Sequence, residues 1–152
     1  AGTGVPERRV GGDISSGTGR GSVLVAGHAR DVEDWKSPSG TTLNSGYQDG
    51  GVLARVTHLV GDGFLSAGYQ GDFGRDIERP RNNSSTVRFF YPEENSHRVT
   101  AEYDRPDVGP FDEIGLHAFY GRYGQVTDQN LFATATTARS VERADISAHA
   151  DR

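Results

Sequence analysis

From His97 to Asp104 polar and apolar residues exchange at every step: Val99, Ala101 and Tyr103 fall on one side, and Arg98, Thr100, Glu102 and Asp104 on the other. A period of two is what a strand with one wetted face requires, because successive side chains leave a pleated backbone in opposite directions. The same period recurs in Leu65, Ala67 and Tyr69 against Ser66, Gly68 and Gln70. It recurs again in Ile114, Leu116, Ala118 and Tyr120 against Gly115, His117, Phe119 and Gly121, and less cleanly in Val52, Ala54, Val56 and His58. Six stretches of roughly ten residues carry this character, at 21–30, 50–60, 63–73, 97–105, 113–123 and 139–150. In the last, Ala144, Ile146 and Ala148 alternate with Arg143, Asp145, Ser147 and His149, although Val141, Ala144 and Ala148 also suit a helix.

The links between stretches narrow the architecture. Val60-Gly61-Asp62-Gly63 is a tight hairpin signal, with Asp-Gly supplying the positive φ that two-residue turns demand. Residues 106–112, with two prolines and Gly109, form a second short turn. Between them lie long polar excursions at 31–49, 74–96 and 124–138, so short and long links alternate. Residues 1–19, rich in Gly, Ser and Thr, show neither period and are expected to be irregular, leaving 20–152 as one antiparallel β-sheet domain. The fold class expected is all-β: an antiparallel meander of about six long hairpin strands. Strands near ten residues, joined briefly on one rim and at length on the other, suit an outer-membrane-type barrel, partial or rearranged.

Composition agrees with a sheet that has little conventional core. Hydrophobic residues make up 34% of the chain and glycine contributes 21 residues, without a collagen period. In a barrel wall one strand face meets lipid and the other a wet lumen, so a low apolar fraction is enough. The 21 acidic and 16 basic residues give a net charge of −5, which argues against nucleic acid as a partner. There is no cysteine, hence neither disulfide nor thiolate metal site, and the apolar runs are too short for a membrane helix.

Several strings, in order, resemble the barrel of TonB-dependent receptors, the energised importers of Gram-negative outer membranes. They are Asn44-Ser45-Gly46-Tyr47, Leu65-Ser66-Ala67-Gly68-Tyr69-Gln70, Asp76-Ile77-Glu78-Arg79-Pro80, Tyr91-Pro92-Glu93 and Arg98-Val99-Thr100-Ala101-Glu102-Tyr103. The resemblance covers about residues 20–150. It implies a bacterial outer-membrane location and uptake of a metal chelate or similar small molecule, such as a ferric siderophore or haem, with long loops taking part in capture. Nothing here looks like a TonB box or a plug domain, and six strands fall short of the family's barrel of about 22. An excised or repurposed segment is therefore expected.

The ligand-binding residues expected are Arg79, Arg81, Arg88, Phe89, Phe90 and Tyr91, since arginine beside exposed aromatics can hold an anionic aromatic ligand through charge and stacking. The competing role for Phe89, Phe90 and Tyr91, and for Trp35, is an interfacial aromatic girdle. Catalytic residues, a metal site and a cofactor are not expected. The five histidines lack metal spacing, the carboxylate pairs lie in loops and turns, and no nucleophile elbow or phosphate loop occurs. A second reading is a soluble, self-associating β-sheet domain with a binding or hydrolytic site on a face carrying His58, His117, Arg98 and Glu102.

Overall fold

In a computed structural model, residues 6–79, 86–134 and 137–151 are described. Seven strands form one antiparallel meander: β1 (Glu7–Thr18), β2 (Gly21–Val32), β5 (Tyr47–Val60), β6 (Gly63–Arg79), β7 (Val87–Val108), β8 (Phe111–Thr134) and β9 (Thr137–Asp151). Two short strands, β3 (Trp35–Ser37) and β4 (Gly40–Thr42), make a separate hairpin inside the link between β2 and β5. The all-β antiparallel class is as the alternation predicts, and each of the six predicted stretches lies within one strand of the sheet.

Two expectations are corrected. Residues 7–18 are not irregular: β1 pairs with β2 continuously from Glu7↔Val32 to Thr18↔Gly21. Its glycines and serines carry no period, so the strand is held by backbone pairing along the edge of β2, a force that side-chain patterning does not record. The excursions at 74–96 and 124–138 are also largely strand, because β6 runs to Arg79, β7 starts at Val87 and β8 runs to Thr134. There polar residues occupy both faces, so the backbone ladder continues while the alternation fades.

The rim arrangement survives this lengthening. The links at 19–20, 61–62 and 109–110 all fall on one rim, and the facing ends of β2 and β5, β6 and β7, and β8 and β9 lie at the other, the last two strands separated by only two residues where a long link is expected. In the turn between β5 and β6 Val60 pairs with Gly63, and positive φ falls on Gly61 (61°), not on the Asp-Gly pair. Glycine at the first central position is the requirement of a II′ hairpin turn. Gly109 (φ 62°) plays the same part between Val108 and Phe111.

The long link from β2 to β5 is built rather than loose. The Asp34 carboxylate accepts from the backbone N–H of Ser45 (2.7 Å) and of Gly46 (3.2 Å), and Ser45 Oγ accepts from Trp35 N–H (2.8 Å). Gly46 C=O then accepts from Glu78 N–H, tying the link to β6. On the same rim the ladder between β6 and β7 is interrupted where Asp76 (φ 48°) lies across from Pro92, which has no N–H to donate. The pairing of β7 with β8 shifts register between Phe90 and Glu93, a bulge of one extra residue on β7 beyond which the ladder resumes with the faces of β7 exchanged.

Each strand of the meander contacts only its hydrogen-bonded neighbours, so among the described residues no second layer covers either face, and β1 and β9 remain apart. The only buried apolar side chains described are Val32 and Phe90.

Candidate functional site

Pairing register assigns every side chain of the sheet to one of two faces. On the first face a row runs Ile14, Val25, Ala54, Tyr69, Val99, Tyr120 across six strands. The next row is Ser16, Val23, Val56, Ala67, Ala101, Ala118, and the one beyond it ends in Leu65, Tyr103 and Leu116. Most large apolar side chains that stand in the open lie on this face, Ile14 (80%) and Val10 (69%) furthest. The predicted groupings of Leu65 with Tyr69, Val99 with Tyr103, and Ile114 with Tyr120 are therefore those observed, and the structure adds that the groups are continuous across strands. The exceptions, on the second face, are Leu53 opposite Gln70, Phe64 opposite Asp104, Phe111 opposite Val108 and Ile146 opposite Gln125.

The second face is polar and knit together by its own side chains. Arg30 makes a two-pronged ion pair with Asp49, Arg55 reaches Glu102 (2.8 Å), and Thr57 and Ser66 share a hydrogen bond (2.9 Å). Tyr123 Oη donates to Glu94 (2.9 Å), and His117 Nε2 stands 3.6 Å from Asp104. Arg55 and Glu102 belong to strands separated by β6, and the residue between them is Gly68, opposite Arg55 and Thr100. A Cβ there would meet Thr100 Oγ1 at 2.7 Å, so glycine keeps this crossing open. The apolar Phe119 on this face is covered by the Arg98 guanidinium, 5.2 Å from its ring centre.

The Arg30–Asp49 pair lies just beyond the apolar stretch 50–60. The Arg30 hydrogen bond holds the Asp49 carboxyl below the usual carboxylate range, partly opposed by burial. Its folded pKa is depressed, so the stabilisation is present above the unfolded value, about 4, and is lost as pH falls through the folded one. A melt followed by circular dichroism between pH 6 and pH 3 is expected to fall in midpoint. In Asp49→Asn the midpoint is lower at pH 6 and changes less with pH.

The predicted ligand residues are placed in two groups rather than one. Arg79 lies over the Tyr91 ring (5.0 Å), and Tyr91 meets Phe89 edge to face (5.7 Å); the bulge in β7 reverses the parity here, so Phe89, opposite Gln129, lies on the second face, the side of Tyr123. Arg88 lies over Phe90 (4.3 Å) and pairs with Glu78 (2.7 Å), and Phe90, opposite Asp128, lies on the first face. Arg81 lies outside the described residues. Phe90 is buried and Trp35 is 55% exposed on its separate hairpin.

The shared histidine face of the soluble reading is corrected. His58 lies opposite Gly21 and Leu65 on the apolar face, whereas His117 lies opposite Glu102 on the polar face, on a strand not adjacent to β5. Register parity separates them, and sequence distance gave no access to it. The polar-face ladder was not read from the sequence either: Arg55 and Glu102 are 47 residues apart, and no local signal announces such a pair. Among the described residues no group of three or more metal-ligating side chains occurs. No protein family, curated protein or solved structure matches the chain.

Proposed function

We propose that this sheet is wall of an outer-membrane barrel of the TonB-dependent receptor type, serving uptake of a ferric siderophore, haem or similar chelate. The observation that carries the reading is the inverted distribution of side chains. A single layer turns most of its open apolar residues to one side and its paired charges to the other. In water, uncovered apolar area costs about 25 cal/mol per Å², and patches of this extent mark a surface that meets protein or lipid. In a bilayer the same face costs nothing, and the ion pairs line an aqueous lumen. Two-residue turns on one rim and, on the other, the longer links from β2 to β5 and from β6 to β7 add to the reading, because barrels are short-turned on the periplasmic side. The Arg79–Tyr91 and Arg88–Phe90 stacks stand on the long-link rim, where an arriving chelate meets the protein first.

The test is the behaviour of the chain with and without detergent. It is expected to aggregate in buffer and to enter phospholipid vesicles as sheet, with the 50–60 and 63–73 stretches protected from protease. A monomer in detergent-free buffer with a cooperative melt would overturn the reading.

A further inference from the structure

On the apolar face, at the end of the band next to the long-link rim, lies an open groove of about 520 Å³ across β1, β2, β5 and β6. Its floor is the row Val10, Ala29, Gly50 and Phe73. Above the floor, toward the rim, runs the row Arg8, Asp31, Gln48 and Arg75, one residue from each strand. All four of these polar side chains are exposed, and among the described residues none has a side-chain hydrogen bond or ion pair. The contrast with the other side of the same strands is direct. There Arg30 and Asp49, which also border the groove, neutralise each other.

We propose that this groove binds a zwitterionic phospholipid of the phosphoethanolamine type, with its acyl chains along the apolar floor and its headgroup on the polar row. The proposal rests on the reading of this face as the lipid-facing one. The two arginines stand three strand spacings apart, about 14 Å, with the carboxylate and the amide between them. A phosphate seated between Gln48 and Arg75 takes a charge-assisted hydrogen bond from the guanidinium and one from the amide. The Asp31 carboxylate is then about one and a half strand spacings away, some 7 Å, within hydrogen-bonding reach of the ammonium group at the other end of the headgroup. Arg8 closes the far side. A purely anionic headgroup satisfies the arginines but lies against the Asp31 carboxylate, so the order of charges selects the zwitterion.

The test uses the chain refolded in a phosphorus-free neutral glycoside detergent, with retained lipid counted by native mass spectrometry during titration with short-chain phosphatidylethanolamine or phosphatidylglycerol. One phosphatidylethanolamine per chain is expected to be retained in preference to phosphatidylglycerol. Arg75→Ala is expected to weaken retention about tenfold, and Asp31→Asn to move the preference toward phosphatidylglycerol. Asp13→Ala, on β1 but on the polar face and clear of the groove, is expected to change nothing, and because all these side chains are exposed the variants should keep the sheet signal. Equal retention by Arg75→Ala and the parent chain overturns the proposal, as does a preference unmoved by Asp31→Asn or a parent chain that retains no lipid. If the chain enters vesicles while any of these holds, the groove assignment alone fails. If it does not enter vesicles at all, the membrane reading fails with it.

Discussion

Replacing Val99 with arginine is expected to cost about 2–4 kcal/mol of folding stability in a bilayer, measured by denaturant titration of vesicle-bound chain. Val99 sits near the middle of the apolar face, between Tyr69 and Tyr120, and is 47% exposed. A guanidinium there would have to leave water for hydrocarbon, or thin the membrane around it. The sign of the effect separates the two environments. If the face is turned to water, the same substitution breaks an open apolar patch and raises solubility without a stability loss. Ser22→Arg is the control on the polar face, in the row of Thr57, Ser66 and Glu102. With a wet lumen it should cost little. Equal losses for Val99→Arg and Ser22→Arg would remove the distinction between faces on which the proposed function depends.

Gly21→Ala is expected to destabilise the sheet by about 1–3 kcal/mol. Gly21 begins β2 opposite His58, and a Cβ at this position would stand 2.4 Å from the Thr57 carbonyl oxygen and 3.3 Å from the His58 Cα. Both are backbone atoms of the neighbouring strand, so relief requires β2 and β5 to move apart rather than a side chain to rotate. The turn at Gly19-Arg20 adds to the cost, because Leu59 N–H donates to the Arg20 carbonyl and fixes the approach. Gly12→Ala, on β1 with open space around the added carbon, serves as the comparison. It should be neutral or gain a few tenths of a kcal/mol by restricting the unfolded chain. Denaturant midpoints of the two variants in the same detergent decide the matter. Loss of stability in Gly12→Ala equal to that in Gly21→Ala would mean that glycine acts here through general chain flexibility, not through the close approach of two strands.

The two predictions probe different layers of one arrangement. Close backbone approach at the short-turn rim holds β2 against β5, and the register so set carries Val25 and Ala54 to the same side as Val99. A slip of one residue would turn each apolar set to the other face. The paired charges of the second face oppose such a slip, since Arg55 meets Glu102 only when the rows of β5, β6 and β7 are in the observed register. Stability and the separation of environments therefore depend on the same pairings.

What this chain's sequence determined alone was the strand character of its middle and the turns between. Alternation at 97–104 and 113–120 leaves a period of two that no helix can accommodate, and glycine at 61 and 109 supplies a backbone geometry that other residues resist. These are local effects, written within a few residues. Tertiary structure alone decided the rest. β1 has no period and is a strand only because β2 offers it an edge. His58 and His117 are parted by register, a property of pairs of strands. The groove row of Arg8, Asp31, Gln48 and Arg75 draws one residue from each of four strands spanning 68 positions of sequence, from 8 to 75. Strand pairing is a long-range choice set by backbone hydrogen bonds and by the environment of each face, so neighbours across the sheet cannot be read from neighbours along the chain.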